Sequence, residues 1–203
     1  LGLPSLIAEV SSGIVIIVFN IIILNLKGNV GVAAYGVVAN LSLVVAAIYT
    51  GMAQGIQPLV SKAYGRNDKE YIKRIFRYAT VTMAAASCAI YAIIFFFADP
   101  IAKIFNSAND KQLQEIATLG LKLYFTAVLF LGYNIIISAF FTSTARALPA
   151  QITSLSRGLL VIVPMAFLLS SLAGLTGVWL AFPATELLVA ILGAVLYSRV
   201  IYR

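Results

Sequence analysis

Histidine is absent from this 203-residue sequence, and cysteine occurs once, as Cys88. Without histidine the chain lacks the usual zinc ligand and the side chain that titrates nearest neutrality. A lone cysteine inside an apolar run excludes an intrachain disulfide and gives redox chemistry little to work with. Charge is equally scarce, at 10% of residues against about 25% in a soluble globular domain. There is no P-loop, no Gly-x-Ser-x-Gly elbow, no His-Glu-x-x-His and no carboxylate pair in a polar loop. The chain is therefore read as a non-enzyme with no catalytic residues, no metal site and no organic cofactor.

What fills the sequence is apolar. Hydrophobic residues make up 62% of it and the mean hydropathy is +1.01. A water-facing fold of this length could not hide so much apolar surface, so the solvent is lipid. The net charge of +7 then belongs to loops at one membrane face, and nucleic acid is not a partner. A bilayer core about 30 Å thick takes roughly 20 residues of helix. Stretches of that length run over 4–26, 30–59, 78–98, 119–144, 152–172 and 177–197. They predict an all-α membrane protein: one domain over 1–203, a bundle of six transmembrane helices.

The basic residues orient it. One side carries Lys62, Arg66, Lys69, Lys73, Arg74, Arg77, Arg146, Arg157, Arg199 and Arg203, and the other Lys27, Lys103, Lys111 and Lys122. The positive-inside rule makes the first side cytoplasmic and returns both ends of the chain to it. The chain opens on Leu1-Gly2-Leu3-Pro4, with no charged leader, and reads as a fragment whose upstream part is missing.

The connections hold helix signals. Asn67 followed by Glu70 resembles a capping box, opening a stretch where Tyr71, Ile72, Ile75 and Phe76 oppose Lys73, Arg74 and Arg77. That pattern predicts a helix lying in the headgroups before the third span. Asp99-Pro100 starts a shorter helix with Ile101, Ile104 and Phe105 as its buried stripe, and Asn109 with Gln112 forms a second box. Before the basic loop, Gly51, Gly55 and Pro58 predict close approach or bending, with Gln54 and Gln57 bonding freed backbone groups.

"LGLPSLIAEVSSGIVIIVFN", "AYGVVANLSLVVAAIYTGMAQGIQPLVSKAYGRND" and "AFFTSTARALPAQITSLSRGLLVIVPMAFLL" together resemble the multidrug and toxic compound extrusion (MATE) transporters, especially their prokaryotic branch. The resemblance implies two six-helix lobes around a central cavity, with this chain as the C-terminal lobe and the N-terminal lobe absent. It further implies secondary active efflux in a cell membrane. H+ or Na+ would enter as the coupling ion and small cationic or amphipathic compounds would leave, this chain supplying half the cavity. Two other functions fit six spans: a lipid-linked oligosaccharide flippase of the same superfamily, and the membrane domain of an ATP-driven exporter. The first wants a cavity rich in lysine and arginine, and Arg157 is the only cation well inside a span. The second wants long cytoplasmic helical extensions, which these short loops lack.

Ionisable groups inside spans are the leads, because placing charge in lipid costs at least ~2.5 kcal/mol. Glu186 lies near the midplane of the sixth span, one turn after Pro183, where a carboxylate must be neutral or held by a cation. Glu9 sits early in the first span. In the resembled family an acid stands deeper, about where Ser12 falls. These two are the cation-coupling candidates. A structural Glu9–Arg157 pair, or an Arg157 that snorkels to the interface, is the alternative. Asn20, Asn40, Tyr49, Gln57, Tyr133 and Asn134 are the substrate-cavity candidates, each equally readable as interhelical glue. Phe140 with Phe141, or Tyr124 with Tyr133, could face flat cationic compounds. Phe95, Phe96, Phe97, Tyr197 and Tyr202 read as interface anchors.

Overall fold

The computed structural model describes residues 2–201, with side chains described for residue 11 and residues 13–199. Among the described residues every regular element is a helix. They are α1 (Gly2–Gly65), α2 (Lys69–Phe96), α3 (Ala98–Phe105), α4 (Lys111–Tyr124), α5 (Val128–Ser143), α6 (Ala147–Leu155) and α7 (Ile162–Ile201). One 3-10 turn, Phe125–Ala127, splices α4 to α5, and one π turn, Ser156–Leu160, splices α6 to α7. Among the described residues four helical runs are long and apolar enough to cross a membrane: Gly13–Gly65, Lys69–Phe96, Lys111–Ser143 and Ala147–Arg199.

The first and last of these runs double back. A straight helix of the length of α1 would reach about 95 Å, three times the bilayer core. Instead Gly28 takes φ 64°, ψ −158°, a conformation open to glycine and strained for other residues. The rings of Phe19 and Tyr35, on opposite sides of that glycine, stack at 5.5 Å, where a straight helix would hold them about 24 Å apart. A Cβ on Gly31 would lie only 2.6 Å from that of Lys27, so the return arm leaves the bend with no room for a side chain. In α7 the reversal falls at Ala173 and Gly174, whose φ is 57°. There Gly177 packs on the carbonyl of Leu169. Both breaks fall where the sequence places the ends of its predicted spans.

Other local expectations shift. Asp68, not Asn67, caps α2, accepting from the Tyr71 amide at 2.9 Å. Asp110, not Asn109, caps α4, accepting from Gln112 and Leu113. Each asparagine instead takes positive φ, 56° and 52°, which asparagine tolerates better than most residues. No separate headgroup helix precedes the third span, because Lys69–Phe96 is one unbroken helix. In α3 the buried residues are Ala98 and Ala102, while Ile104 and Phe105 are exposed. Nor does α1 bend at Gly51, Gly55 or Pro58, since its only non-helical angles are at Gly28. Among the described residues the side chains of Gln54 and Gln57 make no hydrogen bond to protein, and a Cβ on Gly51 or Gly55 would meet nothing within 4 Å.

In lipid the hydrophobic effect does not draw helices together, so close van der Waals fit and a few hydrogen bonds must. The core follows that rule. Ala34, Ala98, Ala102, Ala117, Ala166 and Ala181 are wholly buried and let backbones approach. A Cβ on Gly120 would lie 2.9 Å from the Trp179 ring, and Trp179 is itself fully buried. Tyr49 donates to Ser87 Oγ at 2.8 Å, tying α1 to α2. Outward, Phe96, Ile104, Leu148 and Leu172 are more than two-thirds exposed, as side chains facing lipid tails should be.

Candidate functional site

The second arm of α7 carries Glu186 into the middle of the bundle, where its side chain has no exposure. Pro183 leaves this arm within helical angles. Arg157 arrives from the π turn, whose wider winding is marked by the bond from the Val161 amide to the Ser156 carbonyl, 3.0 Å. Such single π turns occur often at functional sites. Here the extra residue swings Arg157 inward and presses Gly158 against Ser11 of α1.

Arg157 Nε donates to Glu186 Oε1 at 2.7 Å. Asn134, buried on α5, donates through Nδ2 to Glu186 Oε2 at 2.7 Å and to the Glu186 carbonyl at 2.8 Å. The carboxylate thus has a charged partner on one oxygen and a neutral donor on the other, the arrangement a buried charge requires. Asn134 Oδ1 has no partner among the described residues. About a third of the Arg157 side chain is exposed, on the wall of a cavity of about 280 Å³ that it shares with Tyr35, Ser42, Tyr124, Gly158 and Phe182. Tyr124 and Phe182 stack at 4.5 Å, giving that wall a flat aromatic face.

Of the sequence candidates, the structure gathers Glu186 and Asn134 into this cluster, with Arg157. Arg157 turns to the carboxylate of Glu186. The side chain of Glu9 lies outside the described residues. Asn40 turns its amide back to the Gly36 carbonyl of its own helix, 2.9 Å away. Tyr49 is spent on Ser87, and Asn20, Gln57 and Tyr133 do not line the cavity. Tyr124 does, whereas Phe140 and Phe141 are buried in a second apolar cluster against which Tyr133 packs. Lys62, Arg66, Lys69, Lys73, Arg74 and Arg77 are all exposed. Phe95, Phe96 and Phe97 are exposed, and Tyr197 stacks on Phe76 at 4.2 Å. Tyr202 lies outside the described residues. What the sequence missed is the Glu186–Arg157 pair, which spans two helices and has no spacing signature.

A family model described as MatE matches residues 4–168. The multidrug export protein MepA of Staphylococcus haemolyticus is 28% identical over 178 residues, covering 88% of this chain and 38% of that protein. An inward-facing and an outward-facing structure of a multidrug resistance MATE family transporter of the MOP superfamily each align with 99% of the chain. Their TM-scores are 0.93 and 0.91, both at 22% identity, over 46% and 45% of those chains. The chain spans less than half the length of these relatives.

Proposed function

This chain belongs to the MatE family, whose members are transporters rather than enzymes, and we propose that it forms the C-terminal lobe of a secondary active multidrug exporter. In this reading the two doubled-back runs each cross the bilayer twice, so six spans face the other lobe across a shared cavity. The membrane is the plasma membrane, with both ends of the chain and its basic loop cytoplasmic. Organic cations and amphipathic compounds leave against an inward cation.

The observation that carries the coupling role is the pairing of fully buried Glu186 with an Arg157 that reaches a cavity wall. As an ion pair the two are neutral together, and the aromatic wall can accept a cation. A proton arriving at Glu186 removes the carboxylate charge and leaves Arg157 a bare cation on that wall. Like charge then expels the cationic substrate, so proton and drug exclude each other, as antiport needs. Sodium at the same carboxylate would have to sit beside the guanidinium or displace it, which favours the proton. Asn134 fits both states: turned over, its unpartnered Oδ1 can accept from a protonated Glu186. That the inward-facing and outward-facing relatives match this chain about equally well supports a lobe that rocks as a unit.

Ethidium efflux by the full-length protein, with pH and sodium varied separately, tests this. Glu186→Gln should abolish the pH dependence while Glu9→Gln retains it. A Glu186→Gln variant with normal pH-dependent efflux moves coupling elsewhere.

A further inference from the structure

We infer that a groove between the second arm of α1 and the start of α2 binds an anionic phospholipid of the surrounding bilayer, acyl chain inside and phosphate on Arg74. The groove encloses about 510 Å³, with Gly55 and Leu59 of α1, Ile75 and Tyr78 of α2 and Ile136 of α5 in its lining and Arg74 among them. Its surface is overwhelmingly apolar and, among the described residues, no carboxylate lines it. An exported cation would find a positive charge and no counter-charge there; a lipid phosphate would find its partner.

Three observations converge on this occupant. Arg74 is exposed and, among the described residues, pairs with no carboxylate, whereas neighbouring Arg77 is already engaged 5.7 Å over the Tyr78 ring. Tyr71 and Tyr78, both exposed at the groove, are the amphipathic side chains that sit at headgroup level. Lys69, Lys73 and Arg66 surround the same end of α2 and stand exposed, a basic cluster of the kind that concentrates anionic lipid. Gly55 acquires a reason to be glycine: no helix packs on it, and any larger side chain would take up space the chain of a lipid needs. The abrupt change from amides and glycines to basic residues after Met52 thus builds one site, an apolar slot with a cationic rim.

The inference rests on the membrane reading and not on coupling at Glu186, and lipid retention is read without transport, so the two can fail separately. Full-length protein extracted from bilayers of equal phosphatidylglycerol and phosphatidylcholine is analysed by native mass spectrometry. Phosphatidylglycerol should be retained preferentially, and Arg74→Gln should lower that preference about fivefold, the ratio one basic residue near the surface is worth. Gly55→Leu should reduce retention of both lipids, while Lys103→Gln changes neither. Equal retention of the two lipids by the unaltered protein overturns the inference. So does full retention by Gly55→Leu, which would mean that the rest of the protein covers the groove, or release of phosphatidylglycerol by ethidium, which would make it a drug site.

Discussion

Removing Arg157 should damage the protein far more than removing its partner, and the asymmetry follows from exposure. In Arg157→Met the Glu186 carboxylate stays fully buried with one neutral donor, Asn134 Nδ2 at 2.7 Å. Stripping the counter-charge from a buried ion costs about 3–5 kcal/mol. In Glu186→Gln the guanidinium keeps a neutral acceptor and the third of its side chain that already reaches the cavity. The loss there is closer to a single hydrogen bond to a charged group, about 1.5–3 kcal/mol. Replacing both, as Arg157→Met with Glu186→Leu, removes the two charges together and should cost clearly less than the sum of the single losses. Melting of the detergent-purified full-length protein, in a double-mutant cycle, measures all three. Equal penalties for the two single changes, or strict additivity in the double, would refute the view that this pair is a mutually compensating buried charge.

The bends and close contacts make further predictions. Gly28→Ala and Gly174→Ala each place a side chain at positive φ with strongly negative ψ and should lower stability by about 1–3 kcal/mol, read as a fall in melting temperature. Gly120→Ala drives a methyl to 2.9 Å from Trp179 and should cost about 1–3 kcal/mol, with the tryptophan fluorescence shifting as the ring moves. Gly51→Ala, by contrast, meets open space and should be neutral or gain up to ~1 kcal/mol from helix propensity. Tyr49→Phe removes the bond to Ser87 and should cost about 1 kcal/mol without altering the substrate profile of efflux.

The membrane class and the positions of the chain reversals were legible because both depend on local composition: twenty apolar residues, then Lys27-Gly28-Asn29 or Ala173-Gly174. The starts of α2 and α4 were legible to one residue. Asn-Asp doublets at 67–68 and 109–110 offer two caps each, and it is backbone conformation, with the asparagine at positive φ, that passes the role to the aspartate. Amphipathic patterns misled at α3, where the bundle buries small alanines and leaves Ile104 and Phe105 for lipid. In a bilayer, apolar does not mean inward. At the site, the depth of Glu186 could be counted along its helix. That Arg157 and Asn134 meet it could not, since the partners lie on three different elements and a π turn sets the aim of the arginine.

Proton–drug exchange in proteoliposomes holding the full-length protein probes the central claim with the fewest intermediaries. An imposed ethidium gradient should drive protons the opposite way across the bilayer, and Glu186→Gln should silence that flux while ethidium still binds. Proton movement that persists undiminished in Glu186→Gln would contradict the account.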